Sequence, residues 1–201
     1  APVIPHATNT RRSPLTLNKL LVPTYLNMLA ALSGWLTKAE AQRPGAEAEA
    51  LLSARLAPDM FPLATQVRFA CVQAREAMHR LAGTEFDASI DELLNEGRNA
   101  GDQPGTLAQA QARIAETIAL LRGLARDTLD MAPDQPIAHK LANGMVFDLT
   151  AEQYARDWAL GQFYFHVMTA YAILRSQGIA IGKADYIPHM LPFLRAAPEQ
   201  G

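Results

Sequence analysis

A lone cysteine, Cys71, in 201 residues excludes an internal disulfide framework and any metal site assembled from several thiolates. An excess of positive charge is missing too: 18 Lys and Arg against 20 Asp and Glu leave a net charge of -2. With the cations scattered, nothing tracks nucleic-acid phosphates, so no nucleic acid is expected as a partner. Long apolar runs are also scarce. The nearest approach, Leu20 to Leu36, is interrupted by Pro23, Thr24, Asn27 and Ser33 and falls short of the roughly 20 apolar residues that span a bilayer. Its period is helical, unlike the plain apolar core of an export signal, although Arg11 and Arg12 precede it. A cytoplasmic protein with no membrane partner is expected. The glycine spacing and the following Ser or Thr of a phosphate loop are lacking around Gly182-Lys183.

What is present is a composition of 49% hydrophobic and 19% charged residues, that of a globular chain rather than a disordered one. The length suits one domain with a substantial core. Residues 1–12 hold two prolines and no hydrophobic period, so they are expected to form a loose arm. Residues 13–201 are then a single helical domain.

Ser13-Pro14 is a helix-start signal, with a short turn expected there that bends at Pro23. The first long helix is expected from about Pro23 to Ala41. Leu26, Leu29, Ser33 and Leu36 share one stripe, and Tyr25, Met28, Leu32 and Trp35 share the next. So wide an apolar face predicts a homodimer, because one four-helix core need not bury both stripes. Ala46 to Leu56 reads as a short helix. After Pro62, the period of Leu63, Val67, Ala70, Ala74, Met78 and Leu81 marks the second bundle helix, with Gly83 as its C-terminal cap. Thr84 to Gly105 is polar, with one short helix expected over Ser89 to Arg98. Thr106 and Gln109 make a capping box that opens a third helix ending near Leu124, whose narrow apolar stripe suits an outer position.

The period then switches to alternation. Ile137 to Ala142 and Met145 to Leu149 read as two strands joined by a two-residue Asn143-Gly144 turn, with positive backbone angles at both turn residues. That register sets His139 opposite Asp148. Thr150 and Gln153 form a second capping box, which starts the last long helix, and Gly178 ends it.

From Trp158 to Leu174 this last helix is apolar on nearly every side, the pattern of a buried bundle member. Gln162, His166 and Thr169 are spaced by four and then three, so they share one face. Gln66 is the residue of the second helix placed to reach across to them. These four are the candidate lining of an inter-helix pocket. Burial favours a neutral His166 ring at pH 7, and its N-H then needs an acceptor such as Gln162 or Gln66. Cys71 reads as a small buried hydrophobe, Gln73 as the edge of a buried stripe and His79 as a helix-end residue. His6 and His189 lie in irregular segments.

Two strings, LAPDMFPLATQV at Leu56 to Val67 and FYFHVMTAYAILRSQGIAIGKADYI at Phe163 to Ile187, closely resemble an uncharacterised bacterial family of the DUF1993 type. That family lies within the DinB/YfiT-like superfamily of four-helix bundles. The resemblance implies an all-α fold, a four-helix bundle with a small β-hairpin before the last long helix. Relatives in the superfamily hold a divalent metal with three histidines, and some transfer thiols or hydrolyse small substrates. Here His166 meets one ligand position, Ala170 stands at its partner and Gln66 at the early histidine. The resemblance therefore implies the bundle without the metal, and no cofactor is expected.

The functional expectation is binding of a small, largely apolar molecule between helices, where bundles place their sites. The alternatives are a metal-dependent transferase or hydrolase, as in the relatives, and a non-catalytic dimeric interaction protein.

Overall fold

The computed structural model of the protein describes residues 15–141 and 143–195. The expected arm over residues 1–12 and the helix start at Ser13-Pro14 lie outside them. Four long helices form the bundle: α1 (Leu17–Gln42), α3 (Leu63–Ala82), α5 (Leu107–Gly123) and α7 (Leu160–Ser176). Between them come α2 (Ala46–Ala50) and α4 (Ala88–Asn99), then a hairpin of β1 (Pro136–Lys140) and β2 (Val146–Thr150). A short α6 (Ala151–Gln153) leads into α7, and α8 (Lys183–Tyr186) lies in the tail.

The helix ends follow local chemistry. Thr106 and Thr150 each close a capping box with the glutamine three residues on, so orphan N-H groups are satisfied within one turn. Gly83 and Gly178 end α3 and the last helix with φ of +67° and +79°, a region that costs glycine little. The first helix departs from expectation, starting at Leu17 and passing through Pro23 without breaking. Thr16 caps it, and burial of Leu21 and Tyr25 on either side of the proline offsets the hydrogen bond that its ring cannot make. Ala46 to Leu56 shortens to α2 and a single 3₁₀ turn at Leu51–Ser53.

Side-chain pairs fix the order of the helices. Ser33 bonds Gln111, Arg75 bonds Thr117, His166 bonds Gln66, and the Tyr25 ring meets Phe163. Around the bundle the sequence of neighbours is therefore α1, α5, α3, α7 and back to α1. Helix α4 runs back along α3, with Arg75 bonded to Ser89 at its start and Thr65 to the Gly97 carbonyl near its end. At Gly97 a Cβ would stand 2.4 Å from Cε1 of Phe69, so any side chain there would have to displace the Phe69 ring.

The wide face of α1 is buried inside the chain itself. Tyr25, Met28, Leu32 and Trp35 are all sealed, because α7 and the tail cover them: Trp35 meets Tyr171 edge-on and stacks on Tyr186. The face that suggested a dimer is thus not an outer surface. Among the described residues α1 is the one helix long and apolar enough to cross a membrane, and its apolar positions from Leu21 to Ala39 pack in the core.

The last helix corrects two expectations. It is one rod over residues 151–176, but Tyr154–Ala159 is wound as a π-helix, with the Leu160 N-H reaching the Ala155 carbonyl. Nor is it buried all round: Phe165 is 57% and Met168 39% exposed, since α1 and α3 cover only part of its circumference.

The hairpin forms, in a register one residue from the expected one. Leu141 and Met145 are joined across the turn by a backbone hydrogen bond of 2.8 Å, which makes the loop three residues long rather than two. Gly144 alone of the described turn residues has positive φ, +88°, and its N-H donates to the Leu141 carbonyl at 3.0 Å. His139 therefore pairs with Phe147 and Ala138 with Asp148. A slip of one residue moves a side chain to the other face, and His139 is accordingly buried against Trp158, 4.3 Å between ring centroids, and Tyr154.

Candidate functional site

Gln66 opens the second turn of α3 and His166 lies in the middle of α7, where the two helices meet. Both side chains are buried. The Gln66 amide donates through Nε2 to the Phe61 carbonyl at 3.2 Å, so its Oε1 is the atom facing His166 Nδ1 at 2.9 Å. An oxygen there can only accept, which sets the imidazole as the Nδ1-H tautomer. Nε2 is then a bare lone pair. It has no hydrogen-bond partner among the described residues, yet it is not among the sealed polar atoms. Removal from water pushes the His166 pKa down to about 4, because burial penalises the charged ring.

Aromatic rings frame the imidazole. Phe69 and Phe165 meet the imidazole edge-on, each at 5.3 Å between centroids, and Phe61 meets Phe69 at 5.6 Å. Phe61 and Phe165 are 48% and 57% exposed, so the imidazole lies beneath a partly open aromatic surface. The other two residues of the polar line do not join it by hydrogen bonds. Thr169 donates back to the Phe165 carbonyl at 2.6 Å, an ordinary helical back-bond, and Gln162 is half-buried with no side-chain partner among the described residues.

This donor set does not fit a three-histidine metal centre. Gln66 Oε1 is committed to His166, Ala170 one turn further is buried and carries no donor atom, and no cluster of three or more His, Cys, Asp or Glu exists among the described residues. A single imidazole holds zinc or nickel weakly. Protein purified without a tag and without added metal should therefore carry far less than one transition metal per chain. Elemental analysis giving one equivalent of zinc, nickel or iron would contradict this.

Two cavities lie elsewhere, and neither is lined by Gln66, Gln162, His166 or Thr169. A groove of about 840 Å³ between α3, α4 and α5 is lined by Arg68, Glu92, Glu96, Arg113 and Glu116 among others, and a second of about 830 Å³ next to it by Arg75, His79 and Asp87. Arg68 and Arg75 are both buried, an unusual place for a charge. Their partners explain it: Glu96 holds Arg68 and Arg113 together, and Glu116 holds Arg113 and Arg75. The network lowers the Glu96 pKa despite its partial burial. Sequence reasoning missed these residues. The available signal was Arg68 and Arg75 seven apart on one face of α3, with paired charges three or four apart on α4 (Glu92, Glu96) and α5 (Arg113, Glu116).

Cys71 lies beside this network. Its Sγ contacts the Arg113 carbonyl at 3.6 Å, and burial pushes its thiol up to about 11, which leaves no thiolate to act as a nucleophile. His79 sits at the end of α3 against Thr84 and Asp87. The tail residues anchor the chain: the Asp185 carbonyl accepts the Trp35 indole N-H at 2.9 Å, its carboxylate pairs with Lys38, and the Lys183 ammonium lies over the Tyr186 ring.

Comparison with known proteins places this arrangement. The family described as Domain of unknown function (DUF1993) matches residues 17–187. Among solved structures, a DinB family member protein from Shewanella denitrificans is similar at 32% identity and a TM-score of 0.67, over 92% of this chain and 95% of its own. No curated protein matches.

Proposed function

The chain belongs to the DUF1993 family and has a DinB-like bundle, and from that premise we propose that it binds a small, largely apolar molecule at the α3–α7 seam with His166 as the polar anchor. The observation that carries this is the half-used imidazole. Its Nδ1-H is fixed by Gln66, while Nε2 is left unpaired among the described residues, on a ring flanked by Phe69 and Phe165. The ligand that complements the site has an aromatic or aliphatic body for Phe61, Phe69 and Phe165 and one O-H or N-H to donate to Nε2. Sites of this kind, apolar walls with one or two placed polar groups, are the usual form of a small-molecule pocket.

Phenol and toluene test this directly, being alike in size and differing in one donor. In nuclear magnetic resonance titrations phenol should shift the His166 ring signals and bind about 2- to 10-fold more tightly than toluene, the range expected from one net hydrogen bond. His166→Ala should abolish that preference. It should also cost about 1 to 3 kcal/mol of stability, because Gln66 Oε1 loses its donor. Equal affinity for the two probes, or a preference that survives His166→Ala, would refute the assignment.

A further inference from the structure

The groove between α3, α4 and α5 carries an argument independent of His166. Arg68 lines it and is only 3% exposed. A buried guanidinium needs its N-H groups satisfied. Nε donates to Glu96 Oε2 at 3.2 Å and Nη1 to the Ala64 carbonyl at 3.1 Å, and together these lock the plane of the fork. Nη2 has no hydrogen-bond partner among the described residues, and it is not among the sealed atoms. It therefore presents N-H donors to the groove from a fixed position. Gly105 keeps the space in front of it clear: a Cβ there would stand 2.8 Å from Arg68 Nη2 and 2.5 Å from Gln109 Oε1.

The other cation of the groove is spent. Arg113 is held by Glu96 and by Glu116 at 3.0 Å, with Glu92 more distant at 3.9 Å. Two cations face three carboxylates, so the groove as a whole is negative by one. A simple anion would be drawn to Nη2 and repelled by the remainder. A molecule bearing both charges meets neither objection, since its carboxylate accepts charge-assisted hydrogen bonds from Arg68 Nη2 and its ammonium matches Glu92, the carboxylate held most loosely. The side-chain amides of Asn95, Asn99 and Gln103 line the same groove and supply donors and acceptors for a polar body. Tying α3 to α4 and to its own preceding turn explains Nε and Nη1 of Arg68. It explains neither the free Nη2 nor the amide lining.

We propose that this groove is a second ligand site, which takes a small zwitterion of the amino-acid class with its carboxylate on Arg68 Nη2 and its ammonium beside Glu92.

The test uses the full chain and L-glutamine, with acetate and ethylamine as probes that carry one charge each. In ¹⁵N-resolved titrations L-glutamine should shift the side-chain amides of Asn95, Asn99 and Gln103, and it should bind at least tenfold more tightly than either single-charge probe. Arg68→Gln should weaken glutamine at least tenfold. Because that variant also loses a link between α3 and α4, Glu92→Gln serves as the second arm. Glu92 is exposed and its ion pair is the longest of the set, so this variant should keep the wild-type unfolding curve while losing at least threefold in glutamine affinity. No amide shift in the groove, acetate equal to glutamine, or unchanged affinity in folded Glu92→Gln would each overturn the proposal.

Discussion

Trp35→Ala should cost about 3 to 5 kcal/mol, the usual range for emptying a sealed aromatic site. The loss combines three parts. The indole is fully buried between α1 and the tail, and it makes edge and stacked contacts with Tyr171 at 5.1 Å and Tyr186 at 6.3 Å. Its N-H is the donor that satisfies the Asp185 carbonyl at 2.9 Å, so that carbonyl is orphaned as well. The tail around α8 should loosen along with it. Urea unfolding would measure the global loss, and hydrogen exchange at Asp185 and Ile187, whose amides close α8, would report the local one. Trp35→Phe separates the parts, because it keeps most of the apolar contact and removes the donor, for about 1 to 2 kcal/mol. A loss below about 1 kcal/mol in Trp35→Ala, or unchanged exchange in α8, would show that the tail is held by something else.

Acidification should weaken the fold well before its surface carboxylates titrate. His139 and His166 are both pushed down to about 4, mainly by burial and for His139 also by the Arg80 charge. Glu76 is pushed up to about 7 by burial, against the pull of Arg80 and Arg98. Between roughly pH 6.5 and 4.5 the unfolded chain protonates both histidines while the folded chain keeps them neutral, so each lowers stability as pH falls. Glu76 acts in the opposite sense, since the folded chain already holds that proton and the unfolded chain does not. The unfolded state therefore binds one proton more, and stability should fall by about 1.4 kcal/mol per pH unit, or about 3 kcal/mol over this window. Asp87, Glu96 and Asp185, whose carboxyls are depressed, add their own losses only below it. Denaturant unfolding at several pH values reads the slope directly. Glu76→Gln should double it and His139→Phe should bring it near zero. A wild-type profile flat from pH 6.5 to 4.5 would show that these groups do not titrate as their surroundings dictate.

How much of this was legible in the sequence depended on the reach of each signal. The capping boxes at Thr106 and Thr150 and the glycine stops at Gly83 and Gly178 act within about one turn, so they could be read from neighbouring residues. The hairpin could be read as a hairpin, but its register hung on whether two residues or three separate the strands. That one residue decided whether His139 met Asp148 in solvent or Trp158 in the core. The face of α1 was misread because what covers Trp35 arrives about 150 residues later, too far for any periodicity to show. Gln66 and His166, named from helical spacing and family resemblance, do meet. The polar groove was missed because Arg68 and Arg75 look like surface charges until α4 and α5 fold over them.

The π-wound turn at Tyr154–Ala159 separates the azimuth of everything before it from everything after. One surplus residue in such a turn rotates the two parts of the rod by about 100° relative to an unbroken α-helix. Tyr154 and Trp158, which meet the hairpin, lie within this turn, and His166, which meets Gln66, lies after it. A descendant chain that dropped one residue here would keep an intact rod and both caps, yet it would turn a different side chain toward Gln66. Single-residue gaps at this turn, rather than substitutions at position 166, are where the chemistry of the seam would change hands.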